Sequence, residues 1–370
     1  MADIFQITML PAKEGDCLVI TYGDDDNRNH LIIDSGRSWT YSNALKQYLD
    51  EYDIREPELL VITHVDRDHI DGILPLVKDE LLSMIPGEVW FNTRGHLDGD
   101  KIINPNVNDP VEAFGAKMGE ALSSEVIRRN WPWNRLFGGG PVECADDFED
   151  NIFQIGNLRL TLLSPDRKKL EALIPDWDKE CSEAGIIPGG AVKDYVVRDD
   201  DVEAFGGIDI DALAEEKFEG DTTTANGSSI AFILEYKHRK ILLAGDAHTD
   251  LLIDSLKKAR ASELNLIELD AFKIPHHGSK HNLSKELLSL IKCNHYLIST
   301  NGNYFKHPDK VAMARLIKYG TPGSTINFNY KTEYTEIWNN PSWQEKYKYR
   351  TNYPVPDNDG YLSLNFNILD

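Results

Sequence analysis

The sequence predicts a layered α/β fold, and three observations carry that prediction. Segments of helical 3.6-residue periodicity alternate with short apolar runs, the pattern of helices laid on buried strands. The run Leu59-Leu60-Val61-Ile62 is one such strand, followed at once by a polar turn and a helix carrying Ile70, Ile73, Leu74, Leu76 and Val77. Acidic and imidazole side chains recur at strand ends, the edge at which open α/β sheets bind ligands. With 370 residues, 41% of them hydrophobic, the chain can bury a sizeable core.

Composition narrows the function. The 61 acidic and 39 basic residues give a formal charge of −22, which argues against an open basic groove for duplex nucleic acid. A nuclease is not excluded, because bound divalent ions supply local positive charge to a phosphate. Cys17, Cys144, Cys181 and Cys293 are dispersed without a CxxC pair, so neither a disulfide framework nor a thiolate zinc site is expected. The N-terminal stretch MADIFQITMLPAKEGD lacks the features of a signal peptide, and no apolar run approaches the ~20 residues of a membrane helix. A cytoplasmic protein without a membrane partner is the expectation.

Residues 3–10, 17–22 and 30–34 read as strands joined by the polar turns KEGD and GDDDNRN. Asp16 and Asp34 stand at their ends, as turn residues or as neighbours of a site. Residues 41–51 read as a helix. Thr63 ends the next strand, and His64, Asp66, Asp68 and His69 follow within six residues. A tight turn aims alternate side chains at one point, so His64 and Asp66 can share one ion while Asp68 and His69 face a second. Imidazole with carboxylate suits Zn, Mn or Fe. Helix capping by Asp66 or Asp68 is the simpler alternative, but it leaves the two histidines unexplained.

A helix reaching about Met84, a strand over 88–92 and helical periodicity over 109–129 come next. His96 reads as a surface histidine. Trp131, Trp133 and Phe137 read as packing, with a stacking platform for a base as the sharper option. Residues 158–164 and 228–236 are strands, separated by an acidic stretch over 166–225 that reads as a lid, an interface or a substrate-shaping insertion. The strand KILLAGDAH ends in Gly245-Asp246, with His248 two residues on. AFKIPHHGS ends in His276-His277-Gly278-Ser279, and HYLIST is followed by NGNYFKHP with His307 and a helix opened by Pro308. Ile326–Tyr334 and Tyr361–Phe366 read as C-terminal strands within 321–370.

These motifs, in this order, resemble the metallo-β-lactamase fold hydrolases. THVDRDHIDG is similar to their HxHxDH signature with Asp66 in place of the middle histidine. This HxDxDH variant, with Asn226, Gly227 and Ser228 matched to an Asn-x-x-Ser element and with PHHGS, resembles the stand-alone nuclease domain of ComEC-type DNA-uptake channels. The resemblance covers roughly 1–165 and 226–320. It implies one αββα sandwich over 1–370, with two mixed sheets face to face, helices outside and the site along one edge. It further implies two divalent ions, zinc or manganese, held by His64, Asp66, Asp68, His69, Asp246 and His276, with Asp246 bridging. One histidine of the 276–277 pair would be the ligand, with a preference for His276. The other would contact substrate or donate a proton. Asp68, His277 and His307 are the expected catalytic residues, and Asp34, Asp16, Asn226, Ser228, His248 and Ser279 the supporting ones.

The chain departs from the family pattern in four ways. None of its eleven histidines lies between 97 and 237, so the usual third histidine of the first site is missing. Asp71 stands where glycine is common, the 166–225 stretch is long, and the C-terminal region is extended. The resemblance implies a phosphodiesterase or nuclease acting through a metal-activated hydroxide on a nucleic acid or nucleotide. A hydrolase of a phosphorylcholine ester or lactone, and a non-catalytic metal-stabilised module of a larger complex, are the alternatives. Partner proteins or a homo-oligomer are left open.

Overall fold

The structure is a computed structural model that describes residues 3–24, 26–102, 116–183, 208–260, 262–356, 360–366 and 368. Strands β1 (Ile4–Met9), β2 (Leu18–Gly23), β3 (Arg28–Ile33), β4 (Leu59–Val61) and β5 (Val89–Trp90) open the chain. They are followed by β6 (Ile152–Ile155), β7 (Leu158–Ser164), β8 (Ala231–Tyr236), β9 (Arg239–Leu243), β10 (Ile267–Lys273), β11 (Ile291–Ile298), β12 (Thr325–Phe328) and β13 (Arg350–Asn352). β14 (Leu362–Asn365) returns to pair with β1. Among the described residues they form a six-stranded sheet, β14-β1-β2-β3-β4-β5, and an eight-stranded sheet, β13-β12-β11-β10-β9-β8-β7-β6.

Period-2 alternation sorts the strand side chains into layers. Leu18, Ile20 and Tyr22 of β2 share one core with Phe232, Leu234 and Tyr236 of β8, which is the space between the sheets. Val19 of β2 and Leu60 of β4 point the other way, into a second core made with the helices on the first sheet. Leu242 of β9 and Tyr296 of β11 do the same on the far side of the second sheet. Three cores between four layers make an αββα sandwich, as expected from the sequence.

Both sheets are mixed. β3 pairs parallel with β4, and β9, β10, β11 and β12 pair parallel in succession. The carboxyl ends of β3, β4, β9, β10 and β11 carry the turns at Asp34, His64, Asp246, His276 and Ser299. The ligand-rich turns therefore share one edge, where parallel strands of α/β sheets present their sites.

Several boundaries differ from the sequence reading. The helix after the ligand turn ends at Lys78, not near Met84. Residues 326–334 are a strand only to Phe328, after which Glu333–Glu336 turns helical behind a capping box at Thr332. The helix near Pro308 begins at Lys310, with Asp309 as its N-cap. His96 is not at the surface but 1% exposed, as the third residue of a short helix whose capping box it closes with Thr93. Trp131 and Trp133 are buried packing, and the Trp133 indole donates to the Phe91 carbonyl, so neither offers a stacking platform.

The acidic stretch opens as the helix Arg167–Glu183, which buries Leu170, Leu173, Trp177 and Cys181 in the first core. Its RDDDVE run and the glycine pair at 189–190 lie outside the described residues, as does the start of the expected 109–129 helix. All four cysteines are free. Among the described residues, no helix is long and apolar enough to cross a membrane.

Candidate metal centre

The turn after β4 holds His64, Asp68 and His69 inward, all buried. Close backbone approach fixes it. A Cβ on Gly15 would lie 1.8 Å from the Asp68 carbonyl oxygen, so the chain before β2 passes where only glycine fits. Gly245, ahead of Asp246, is held the same way, at φ +50° with Ser229 Oγ 2.4 Å from any added Cβ. The next turn puts His276 at φ +47° and His277 at φ +52°, two successive residues in the left-handed region. Strain of that kind persists where surrounding structure over-determines it, commonly at functional sites.

These turns bring two overlapping sets together, beside a third of Asp16, Asp34 and His69. His64, His69 and Asp246 form one, and Asp68, His69 and His277 the other, each with ligand atoms within 4.8 Å of one another. Oδ2 of Asp246 lies 3.4 Å from Nε2 of His69, 3.7 Å from Nε2 of His277 and 3.9 Å from Nε2 of both His64 and His276. Oδ2 of Asp68 is 3.6 Å from Nε2 of His277. Asp66 approaches Nε2 of His64 at 3.6 Å, yet its side chain is 46% exposed, and it belongs to neither set.

The other ring nitrogens are already engaged. His69 Nδ1 donates to Asp34 Oδ2 at 2.8 Å, and His277 Nδ1 donates to the Ser299 carbonyl at 2.8 Å. Asp34 also accepts from the Thr63 amide and hydroxyl, so Thr63 Oγ1 is left to accept from His64 Nδ1 at 3.0 Å. Each tautomer therefore presents a bare Nε2 inward. Nε2 of His64, His69 and His277 and Oδ1 of Asp246 are buried without a hydrogen-bond partner. Buried polar atoms are seldom left so, and a cluster of them calls for an unseen partner.

Charge makes the same demand. Asp16, Asp34, Asp68 and Asp246 are buried here, and Lys273, wholly buried, pairs with Asp16 Oδ2 at 2.7 Å. Burial pushes the Asp246 carboxyl up, but the imidazoles of His69, His277 and His276 outweigh it and hold it well below the usual range. Asp68 is likewise held low against its burial by His277 and His69. Burial lowers His69, and Asp246 and Asp34 drive it well above its ordinary value. The carboxylates thus pull positive charge onto the ring that faces them. A divalent ion would meet that demand, and the nitrogen and oxygen donors fit zinc or a harder ion such as manganese.

The remaining predicted residues take definite places. His276 is half-buried, with Nδ1 3.0 Å from Asn282 Oδ1, 3.2 Å from Asn226 Nδ2 and 3.5 Å from Asp221 Oδ2. Burial lowers its pKa, while Asp246 and Asp221 raise it to about 9. Asn226 leaves Oδ1 buried and unpartnered. His307 packs edge-on to His276, ring centroids 5.3 Å apart, with Nδ1 3.2 Å from Asp309 Oδ1. Asp16 stands 3.6 Å from His277 Nδ1.

Three residues turn to backbone work instead. Ser228 Oγ donates to the Ala225 carbonyl, and Ser279 Oγ accepts from the His281 amide. His248 lies between the Thr223 carbonyl and Lys169 Nζ. Sequence reasoning missed Thr63, Lys273, Asp221, Asn282 and Ser299. Only Thr63 and Lys273, each within three residues of a motif histidine, carried any signal. A separate cleft of about 560 Å³, lined by His30, Tyr48, Tyr52 and Arg55, opens at the opposite end of β3 and takes none of these residues.

No protein-family model matches the chain, and no curated protein matches it. Among solved structures, it is similar to CmlA, a diiron β-hydroxylase from Streptomyces venezuelae, at 11% identity and a TM-score of 0.40. That likeness covers 99% of this chain and 54% of CmlA, so the chain spans about half of that protein's length. It is also similar to the metallo-β-lactamase fold protein YhfI from Bacillus subtilis, at 9% identity and a TM-score of 0.40, over 97% of this chain and 99% of that one. A long-form RNase Z from yeast matches at 10% identity and a TM-score of 0.32, over 80% of this chain and 37% of that one. These values are low, and the chemistry of the site rests on its own geometry.

Proposed function

We propose that the chain is a metal-dependent hydrolase of the metallo-β-lactamase type acting on phosphodiester bonds. The observation that carries this reading is the convergence of three buried, unpartnered imidazole nitrogens on one buried, unpartnered carboxylate. His64 and Asp246 would hold a first ion, with the half-exposed Asp66, 3.6 Å from His64 Nε2, reaching it from the solvent side. Asp68, His69, His277 and Asp246 would hold a second. Within the 276–277 pair this assignment makes His277 the ligand, reversing the preference drawn from sequence, because its Nε2 is the one grouped with Asp68 and His69. Bound ions of this kind acidify a water and stabilise charge on a phosphoryl oxygen.

The protein's own groups supply the rest. Asp34, Thr63 and the Ser299 carbonyl hold the imidazoles in the tautomer that turns Nε2 inward. His276 is open to solvent on one side and backed by Asp221 through Nδ1, which suits it to hand a proton from Nε2 to a leaving oxygen. His307, behind His276, would steady a non-bridging oxygen. Cleavage at phosphorus is favoured over a carboxylic ester or lactone because the site gathers imidazoles around where an anionic group would sit. Zinc and manganese remain equal candidates.

The test is elemental analysis of the purified protein, followed by assay of the same sample on bis-p-nitrophenyl phosphate with Mn²⁺ or Zn²⁺. About two ions per chain and metal-stimulated cleavage are expected. Asp68→Ala should lose both turnover and metal. Bound metal without cleavage of any diester would overturn the phosphodiesterase reading in favour of another ester or a structural module. Full activity in Asp68→Ala would remove the site assignment.

A further inference from the structure

The loops that frame the centre also carry a strip of exposed rings and cations. Trp39, in the first helical turn after β3, is 43% exposed, and Tyr304, on the loop after β11, is 51% exposed; both stand at the ligand edge. Lys13 Nζ sits 4.5 Å from the centre of the Trp39 ring, and the Arg37 guanidinium 5.7 Å from that of Tyr304. From Tyr304 the rings run inward. Phe305 meets Tyr304 edge-on with centroids 4.6 Å apart, then stacks on His307 at 5.9 Å. His307 contacts His276, whose Nε2 faces Asp246. The strip therefore leads from solvent to the candidate centre without a break.

It is also tied to the centre by backbone hydrogen bonds. The Asn301 amide donates to the Lys13 carbonyl, the Gly36 amide to the Asp16 carbonyl and the Asp16 amide to the Asp68 carbonyl.

The charge of the strip runs against that of the molecule. In a chain of formal charge −22, lysines such as Lys46, Lys169 and Lys257 pair with carboxylates. Among the described residues no carboxylate pairs with Lys13 or with Lys306, which lies 5.4 Å over the Tyr334 ring. Two cations kept free of counter-charges, beside exposed rings, match a ligand with anionic links and flat faces. A small phosphate ester would need neither ring.

We infer that this strip binds single-stranded nucleic acid, with bases stacking on Trp39 and Tyr304 and the phosphate backbone led past Lys13 and Lys306 to the centre. The inference rests on the phosphodiester reading of that centre. Stacking suits a single strand, whose bases are free to splay onto aromatic side chains, and it needs no basic groove.

Fluorescence anisotropy on the metal-loaded protein tests it. The probe is a labelled phosphorothioate oligo(dT) of about a dozen nucleotides, within the span that such surfaces take. Trp39→Ala and Tyr304→Ala should each weaken binding about tenfold, and Trp39→Phe should recover most of the loss. Lys13→Gln should flatten the salt dependence of binding. On cleavable oligo(dT), the alanine variants should lose kcat/KM about tenfold relative to their hydrolysis of bis-p-nitrophenyl phosphate. Binding as tight as wild type in both alanine variants would overturn the inference. So would a wild-type protein that hydrolyses the small diester yet fails to bind the oligonucleotide, while the phosphodiesterase reading would survive. Ring-dependent binding without turnover of either substrate would support the strip and sink the catalytic reading.

Discussion

Oδ2 of Asp34 accepts from Nδ1 of His69 at 2.8 Å, and through Thr63 the same carboxylate also orients His64. One buried acid thus fixes the tautomers of two imidazoles of the candidate centre. Asp34 adopts φ +56° to do so, a conformation aspartate accepts more readily than most residues. Asp34→Asn keeps the volume but replaces one accepting oxygen with a donor, so it opposes either the Thr63 amide at Oδ1 or the His69 proton and Thr63 hydroxyl at Oδ2. Metal affinity should fall about tenfold to a hundredfold, as for other partners behind metal ligands. Competition with a chromophoric chelator measures it, and unchanged affinity would remove Asp34 from this role.

The Lys273–Asp16 pair lies beneath His277 with both side chains out of water. The lysine ammonium also donates to the Ile274 carbonyl at 3.0 Å. Removing one partner of a buried pair leaves an uncompensated charge. Lys273→Met should therefore cost about 3–5 kcal/mol in urea unfolding. Lys273→Met with Asp16→Asn removes both charges and should recover much of that loss. A double variant no better than the single one would show that the charge pairing is not what stabilises this layer.

How far the sequence could be read follows from distance along the chain. His64, Asp66, Asp68 and His69 fall within one turn, and the strand–turn–helix pattern around them was visible without a structure. The partners that orient them come from far away. Asp34 is 35 residues from His69, and Ser299 is 22 from His277. Asn282 reaches Asp221 across 61 residues, and no local pattern marks either as part of a site. His96 was misread because TRGHLDGD is polar, whereas a capping box and a Trp133 ring 5.0 Å away cover the imidazole. The sequence PHHGS does not disclose the left-handed backbone of the turn that groups His277 with Asp68 and His69.

The buried His96 ring predicts a pH dependence far from the metal centre. Its Nδ1 accepts from the Thr93 amide, and Nε2 donates to the Gly139 carbonyl at 3.2 Å. Accepting at Nδ1 requires the neutral ring, whereas the Nε2 donation survives protonation. Burial lowers its pKa from 6.5 to about 4, against a weaker raising effect from the Gly139 carbonyl. The unfolded chain then takes up this proton first as pH falls. The contribution to stability is full above pH ~6.5 and is lost as pH falls toward ~4, at most about 3 kcal/mol. His96→Gln can still close the capping box but does not titrate. Its unfolding free energy should fall less steeply between pH ~6.5 and ~4 than that of the wild type. Equal slopes in urea titrations across that window would show that another group carries the acid sensitivity.

The helix Arg167–Glu183 opens the acidic stretch, yet its inner face is part of the first core. Trp177 is 1% exposed, and its indole donates to Glu120 Oε1 at 3.0 Å. The fit is tight, since a Cβ on Gly119 would come within 2.4 Å of the Trp177 ring. Trp177→Ala would open a large cavity and remove the indole donor to Glu120. It should destabilise the protein by about 3–5 kcal/mol. A segment that only shaped substrate access would instead give a change in KM at unchanged stability. Paired urea unfolding and kinetics on Trp177→Ala separate the two. The burial of Leu170, Leu173 and Cys181 beside Trp177 leads us to expect loss of stability.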